Sequence, residues 1–201
     1  FAKAILMMSQ SRKKPPTITC KNSLMFERRL QEVRRHLDTF RLDALLVSHI
    51  PHVRYLTGFT GSNGLCIIAA KNQHFLTDHR YRDQSKTEIN GFEIHVSRIG
   101  LIEEAGKRCL LKGQSRVGFE SQKLSVFAYN KLKELLPAST LVPTVSVIEN
   151  IAAVKDEFEI ESIKRAVRIT EKVFQKLLDV IKPGLTELEV AAEIGYLHRR
   201  Y

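Results

Sequence analysis

Near the start of the chain, hydrophobic residues first recur with the period of an α-helix. They then form a short continuous run of the kind found in buried strands. The apolar residues Phe26, Leu30, Val33, Leu37 and Phe40 are three or four positions apart. This spacing predicts an amphipathic helix. Four arginines lie off the apolar stripe, and we expect them on a solvated face. They are Arg28, Arg29, Arg34 and Arg35. The apolar residues 42–48 then predict an interior strand that Pro51 helps to end.

The middle of the chain alternates between strand-like and helical patterns. Residues 65–70 and 74–77 flank a polar stretch and predict a β-hairpin. Asp78 is placed to cap a helix from about Arg80 to Glu88. Further strands are predicted at 92–96, 116–119 and 141–147, with helices at 101–111 and from Ser121 to Leu136. This alternation predicts an α/β domain, and the hairpin makes its sheet mixed.

The pattern changes near Asn150, where two helices follow without strands of their own. One long helical face runs from Asp156 to Ile181, made of Ile160, Ile163, Val167, Val173, Phe174, Leu177, Leu178 and Ile181. Pro183 and Gly184 stop that helix, and Thr186 with Glu189 predicts a capping box for the next one. We place the domain boundary at about residues 149–152.

Length and cysteine content indicate one ordinary domain and part of another, in a reducing compartment. The chain has 201 residues, of which 43% are hydrophobic, and it has no apolar run near the ~20 residues that cross a bilayer. Its three cysteines, Cys20, Cys66 and Cys109, show no CxxC spacing. We expect Cys66 and Cys109 to be buried free thiols, which fits a cytoplasmic location best.

The net charge of +10 is concentrated at the start of the chain. Residues 1–24 hold five basic residues and no acidic one, whereas the other 177 residues carry 27 basic and 22 acidic residues. Residues 1–24 are either a basic targeting or nucleic-acid arm or a disordered, non-native leader. We favour the leader, because the chain begins with Phe1 and Met25 directly precedes the first periodic helix. The remaining charge is dispersed, so we expect neither nucleic acid nor a membrane as partner.

The seven histidines do not form a recognisable metal motif. The sequence has no HExxH, no Cys/His cluster, no GxSxG and no phosphate-binding loop. We therefore expect no metal site and no catalytic residue within this chain. The stretch Gly61-Ser-Asn-Gly64 is typical of a turn.

Five segments together resemble the aminopeptidase P/prolidase/creatinase family. They are Leu42-Asp-Ala-Leu-Leu-Val-Ser48, Val53-Arg-Tyr-Leu-Thr-Gly-Phe-Thr-Gly-Ser62, Leu76-Thr-Asp-His-Arg-Tyr81, Ala153-Val-Lys-Asp-Glu-Phe-Glu-Ile160 and Lys182-Pro-Gly-Leu-Thr-Glu-Leu-Glu-Val190. The resemblance covers nearly all of residues 25–201. It implies that residues 25–149 form a three-layer α/β domain with a mixed sheet. Residues 152–201 would be the first helices of a truncated α+β catalytic domain of the pita-bread type.

The resemblance also implies an activity for the whole enzyme. Two divalent ions, of manganese, cobalt or zinc, would be held by two Asp, one His and two Glu and would activate water. The water would attack the peptide bond before proline in short peptides with proline in second position. The enzyme would be a cytoplasmic homodimer, either an Xaa-Pro dipeptidase or an aminopeptidase. Because these ligands would follow Tyr201, we expect the present chain alone to be inactive.

Two groups of residues take candidate roles from the family. In the family, the loop that carries Arg54, Tyr55, Phe59 and Ser62 faces the catalytic cleft, often that of the neighbouring subunit, so these residues are expected near the substrate. By burial preference alone, Tyr55 and Phe59 would be core aromatics. The other group is Asp78, Arg80 and Tyr81, which match the pattern Thr-Asp-x-Arg-Tyr and are expected to be structural. The x position, usually glycine, is His79 here.

Two alternatives to the peptidase remain open. The same fold without metal serves as a binding module in a histone chaperone, and a basic chain could suit acidic partners. Creatinase, an amidinohydrolase, shares the fold with a different cleft mouth. The junction Lys155-Asp-Glu-Phe-Glu159 favours the proline-specific peptidases.

Overall fold

The structure, a computed structural model, describes residues 20–201, with side chains from Leu24 onward. The chain divides into two compact units, one that ends at Ala152 and one that spans Ala153–Tyr201. The first helix of the described residues begins at Cys20, five residues before Met25, where the first domain was expected to start. Most of the expected leader, residues 1–19, lies outside the described residues, as does the side chain of Cys20.

Within residues 20–153, the structure has six strands and six α-helices ahead of the two long helices of the second unit. The strands are β1 (Ala44–Val47), β2 (Gly64–Ala69), β3 (Gln73–Asp78), β4 (Glu93–Ser97), β5 (Arg116–Glu120) and β6 (Thr140–Thr144). The helices are α1 (Cys20–Phe40), α2 (Ile50–Thr57), α3 (Arg82–Glu88), α4 (Leu101–Lys107), α5 (Val126–Leu135) and α6 (Val147–Ala153). A short 3₁₀ turn, His79–Tyr81, joins β3 to α3.

The strands form one mixed sheet in the order β4-β3-β2-β1-β5-β6. Strands β1, β2 and β3 pair antiparallel, as the predicted hairpin requires. The pairs β1–β5, β3–β4 and β5–β6 are parallel. The α/β fold with a mixed sheet is therefore confirmed.

Helices cover both faces of the sheet and give it three layers. Alternate residues of a strand point to opposite faces, so Leu45 and Leu46 belong to different cores. The core that contains Leu45 also holds apolar residues of α1, α2 and α6. The core that contains Leu46 holds residues of α4 and α5. Four strand residues in a row are buried in β1, which explains its continuous apolar sequence.

The expectation that the arginines of α1 are all solvated is wrong for Arg29. Only 7% of Arg29 is exposed, and its side chain contacts α2. Arg34 is half-buried and bonds the backbone oxygen of Ala69 through its Nε at 3.3 Å. An arginine at the flank of an apolar stripe can cover neighbouring elements with its stem while its guanidinium binds carbonyl oxygens.

Three local predictions in the second half of the first unit also need correction. Helix α4 ends at Lys107, and the chain then turns through Cys109, which has φ of 56° and is exposed rather than buried. Ser125, not Ser121, caps α5, because its Oγ accepts the Ala128 amide hydrogen. The Ser121 hydroxyl instead donates to the Thr144 carbonyl oxygen. The prediction of a buried free thiol is right for Cys66.

The second unit consists of two capped helices, α7 (Glu157–Val180) and α8 (Glu187–Arg200). Asp156 and Glu159 form a capping box at the start of α7. Thr186 and Glu189 form the predicted one at the start of α8. Across residues 20–201, none of the helices combines the length and the apolar character that a membrane span requires.

Candidate functional site

The segment called the 54–62 loop comprises the last turn of helix α2 and the residues that follow it. The helix ends at Gly58, in a left-handed backbone conformation that other residue types rarely adopt. Gly58 has φ of 78°, and its N–H donates to the Arg54 carbonyl oxygen at 2.8 Å to close the helix. Arg54 and Ser62 are exposed, Tyr55 is half-buried and Phe59 is buried. The four residues expected near a substrate therefore lie in one segment, but they differ in what they can touch.

Tyr55 is fixed from the side of helix α1. The Arg29 guanidinium carbon lies 4.0 Å from the centre of the Tyr55 ring, and Arg29 Nη1 donates to the Tyr55 carbonyl oxygen at 2.7 Å. A cation above an aromatic face is attracted by the ring's quadrupole. Arg29 thus joins α1 to the last turn of α2, from which the loop begins.

Phe59 anchors the loop in the core. Its side chain is 0% exposed and meets the rings of Phe75 at 4.9 Å and Tyr81 at 5.5 Å between centroids, both edge to face. Gly61 passes so close to these rings that an added Cβ would lie 2.9 Å from Tyr81 and would overlap Phe59. The buried ring of Phe59 therefore determines the path of the loop from its core side.

Ser62 connects the loop to the end of strand β3. Its hydroxyl lies 2.7 Å from the phenol oxygen of Tyr81. This hydrogen bond lowers the pKa of Tyr81, because the bond stabilises the phenolate. The exposed Ser62 hydroxyl keeps a second hydrogen-bonding direction, since a hydroxyl can both donate and accept.

Asp78 and Arg80 form a hydrogen-bonded turn that Asn63, the neighbour of Ser62, also contacts. Asp78 accepts hydrogen bonds from the Arg80 amide at 3.0 Å and from the Arg80 guanidinium at 3.0 and 2.8 Å. Asn63 Nδ2 donates to the same carboxylate at 2.7 Å. The bond from Arg80 is the main reason why the pKa of Asp78 lies far below its ordinary value. Asp78, Arg80 and Tyr81 thus hold the Ser62 end of the loop.

Two further carboxylates contribute to the site, and neither belongs to a recognisable sequence motif. Glu88 of α3 accepts from the Thr60 amide and hydroxyl, both at 2.7 Å. Glu120, at the end of β5, is buried and accepts from the amides of Ser48 and His49 at 2.7 and 2.9 Å. Its other oxygen contacts His52 Nδ1. Glu120 therefore fixes the start of α2, and Glu88 fixes the middle of the loop.

Among residues 24–201, one group of three side chains has the composition and proximity of a metal site. These are His74, Glu93 and His95, whose potential ligand atoms lie within 4.8 Å of one another. The ligand set expected for the two-ion centre of the family is two Asp, one His and two Glu. The group of His74, Glu93 and His95 has fewer ligands and contains no Asp. The described residues therefore do not fit a two-ion catalytic centre, and the spacing of His74, Glu93 and His95 in the sequence matches no metal motif.

Comparison with known proteins gives a consistent relationship. The model of the creatinase/prolidase N-terminal domain matches residues 29–154. The uncharacterized peptidase YqhT of Bacillus subtilis is 32% identical over 171 residues, which are 85% of this chain and 48% of YqhT. The chain spans about half the length of such curated relatives.

Solved structures of peptidases share the fold. The Xaa-Pro dipeptidase from Bacillus anthracis matches with a TM-score of 0.81 and 30% identity, over 87% of this chain and 49% of that one. An Xaa-Pro aminopeptidase structure from Streptococcus pyogenes matches with a TM-score of 0.58 and 30% identity, over 64% of this chain and 98% of that one. The chain belongs to the family defined by the creatinase/prolidase N-terminal domain.

Proposed function

We propose that this chain is the N-terminal part of a proline-specific metallopeptidase, an Xaa-Pro dipeptidase or aminopeptidase. The observation that carries the proposal is the family match over residues 29–154 in a chain that spans about half of peptidases such as YqhT. Residues 152–201 would then begin the catalytic domain, and residues 25–149 would form the accompanying N-terminal domain.

In this proposal the 54–62 loop forms part of the mouth that admits the peptide. Arg54 and Ser62 are exposed and can reach a ligand directly. Tyr55 offers part of its ring, whereas the buried Phe59 acts only by holding the loop in place. A fixed loop favours catalysis because the substrate is positioned without ordering the loop at each turnover.

In this proposal the chemistry would come from side chains other than those of residues 24–201, which the structure describes. A tertiary prolyl amide has no N–H and a fixed φ, so its hydrolysis requires a pocket shaped for the ring and a strong nucleophile. Two divalent ions would supply that nucleophile as activated water. Since the described residues do not fit such a centre, we propose that the 201-residue chain does not hydrolyse Xaa-Pro peptides.

The test is hydrolysis of Gly-Pro and Xaa-Pro-Xaa peptides by the complete gene product, with manganese or cobalt and with the 201-residue chain in parallel. Metal-dependent release of the first residue by the complete product alone is expected. Cleavage by the 201-residue chain would refute its inactivity. Failure of the complete product to cleave any proline peptide would refute the peptidase assignment.

The loop's role is tested separately in the same complete product. We expect Arg54→Gln and Ser62→Ala to raise KM several-fold more than they lower kcat. Arg98→Gln and Ser115→Ala are matched controls, because both residues are exposed and lie outside the loop. Equal kinetics for loop variants and controls would remove the loop from the substrate path.

Assembly and location belong to the same proposal. We propose a cytoplasmic homodimer in which the 54–62 loop of one subunit faces the cleft of the other. Sedimentation of the complete product gives its oligomeric state. The exchange of loops is tested by mixing two kinds of subunit. One has a wild-type loop but an inactive catalytic centre, because a metal ligand is replaced, and the other has an intact centre but carries Ser62→Ala. If the loop faces the neighbouring cleft, the mixed dimer places the wild-type loop beside the intact centre and should regain the wild-type KM. An active monomer would exclude the arrangement.

A further inference from the structure

Two buried histidines and a carboxylate converge on the sheet, away from the 54–62 loop. His74 Nδ1 lies 3.2 Å from His95 Nε2 and 3.1 Å from Glu93 Oε2. The third side of this triangle, His95 Nε2 to Glu93 Oε1, is 3.7 Å. The two histidine side chains are 8% and 6% exposed, and that of Glu93 is 66% exposed.

The pairing of β3 with β4 brings these residues together. In the parallel register, His74 is opposite Glu93 and Leu76 is opposite His95. Glu93 and His95 are two positions apart on β4, so their side chains leave the same face of the strand. Because β4 is the edge strand, the group lies at the border between a covered face and solvent.

We propose that His74, Glu93 and His95 bind a zinc ion, independently of any peptidase centre. Zinc binds nitrogen and oxygen ligands at about 2.0–2.1 Å in tetrahedral geometry, which places neighbouring ligand atoms about 3.3 Å apart. The three separations of 3.1 to 3.7 Å bracket this value. The two separations that involve Glu93 are measured to different oxygens of its carboxylate. Because this carboxylate is exposed, it can rotate so that a single oxygen binds the ion.

The type of ligand also selects zinc among divalent ions. Two imidazoles and one carboxylate suit zinc, whereas magnesium and calcium prefer sets made of oxygen alone. Each histidine directs one ring nitrogen to the shared point, as metal-binding histidines do. The fourth tetrahedral position remains for water, on the side where Glu93 reaches solvent.

Asn72 is placed to orient His74 for this role. Its side-chain Nδ2 lies 3.5 Å from His74 Nε2, the ring nitrogen that points away from the cluster. A 180° rotation of the Asn72 amide would exchange Nδ2 for Oδ1, which would then accept a hydrogen bond from Nε2–H and leave the Nδ1 lone pair for the metal. Such a partner on the second nitrogen is the usual means of fixing the tautomer of a ligand histidine.

A bound ion would join the edge strand to its neighbour. Strand β4 pairs only with β3 in the described sheet, and it carries two of the three ligands. An ion that binds the folded state stabilises that state by mass action. The site is thus a structural clamp on β4, with one open position, rather than a second hydrolytic centre.

The competing arrangement is a hydrogen-bonded histidine pair without metal. We would titrate the metal-free 201-residue chain with zinc by calorimetry and would record the visible spectrum of its cobalt form. One zinc per chain and the intense absorption of tetrahedral cobalt are expected. We expect His95→Gln and Glu93→Gln to weaken zinc binding by at least about 100-fold, and Asn72→Ala by about 10-fold or more.

The controls separate this site from other ligands on the chain. His79→Gln should bind zinc as the wild type does, because His79 is exposed and lies outside the group. His95 is buried, and its replacement could prevent folding. Glu93 is largely exposed, so Glu93→Gln removes a proposed ligand without disturbing the core and tests the site even if His95→Gln does not fold. Zinc should also raise the melting temperature of wild type and His79→Gln but not of Glu93→Gln. Equal zinc affinity in wild type and Glu93→Gln would overturn the proposal.

Discussion

The guanidinium of Arg29 stacks on the ring of Tyr55 and also donates a 2.7 Å hydrogen bond to the Tyr55 carbonyl oxygen. One side chain of α1 therefore binds both the ring and the backbone of the turn from which the 54–62 loop starts. The position of this loop depends on the packing of α1 as well as on its own sequence.

Replacement of Arg29 by methionine should destabilise the first unit by about 2 kcal/mol, since a cation–π contact and a charge-assisted hydrogen bond are lost together. Methionine keeps much of the apolar stem. The free energy of unfolding from urea titration gives the measurement. Arg28→Met is the matched control, because Arg28 is exposed on the same helix. A similar loss in both variants would show that Tyr55 is not the reason.

Asp78 should make the stability of the first unit depend on pH in acid solution. Its pKa in the folded state lies below the ordinary value near 3.9, chiefly because Arg80 bonds the carboxylate. The stabilisation is therefore complete above the unfolded-state pKa and is lost as the pH falls through the folded-state pKa. Between pH 5 and pH 3, the wild type should lose more stability than Asp78→Asn, in which asparagine retains a capping oxygen.

The control for that comparison is Asp83→Asn, since Asp83 is exposed in the first turn of α3. Its urea midpoint should vary with pH as the wild-type midpoint does. If Asp78→Asn kept the full wild-type slope, the acid sensitivity would come from other carboxylates.

Gly61→Ala should cost about 1–3 kcal/mol, the usual range for overpacking. The added methyl group would press on the rings of Phe59 and Tyr81, which are held edge to face. Thermal unfolding measures the loss. Gly195→Ala is the contrasting change, because its Cβ would meet nothing within 4 Å in a helix, where alanine is favoured. A neutral Gly61→Ala would mean that the loop can move away from the rings.

The fold was predictable where the determining pattern is local. The burial of all four residues of β1 follows from four apolar residues in a row, and the capping box of Thr186 follows from the glutamate three positions later. Helix α6 was missed because residues 147–153 were assigned partly to a strand and partly to a domain boundary. Ser146, just before this helix, has φ of 55°, a left-handed conformation that an apolar or polar pattern does not indicate.

The site was less predictable because its contacts are distant in sequence. Glu120 binds the Ser48 amide across 72 residues, and His74 meets His95 across 21. The sequence spacing of these pairs does not indicate that their residues touch, because the contacts depend on which strands become neighbours in the sheet. A strand order predicted in advance would have placed Glu93 and His95 beside His74, because both lie on one face of β4.

Limited proteolysis should cut the chain between α6 and α7 and leave the first unit intact. Helix α7 keeps Val173 and Leu177 buried, whereas five apolar residues of its long face are 42–55% exposed. These are Ile160, Ile163, Val167, Phe174 and Leu178. Two helices bury little surface, so we expect residues 153–201 to open readily or to self-associate. Trypsin should act after Lys155, in the non-helical stretch 154–156.

The exposed face of α7 gives that prediction a second measurement. Val167→Ser with Phe174→Ser should shift the sedimentation of the chain towards monomer, because both changes remove apolar surface from one patch. Glu171→Gln is the control, since it alters an exposed polar residue of the same helix. If residues 153–201 resisted trypsin in a chain that sediments as a single monomer, the second unit would be stable as it stands. The proposal that it begins a larger domain would then lose its physical support.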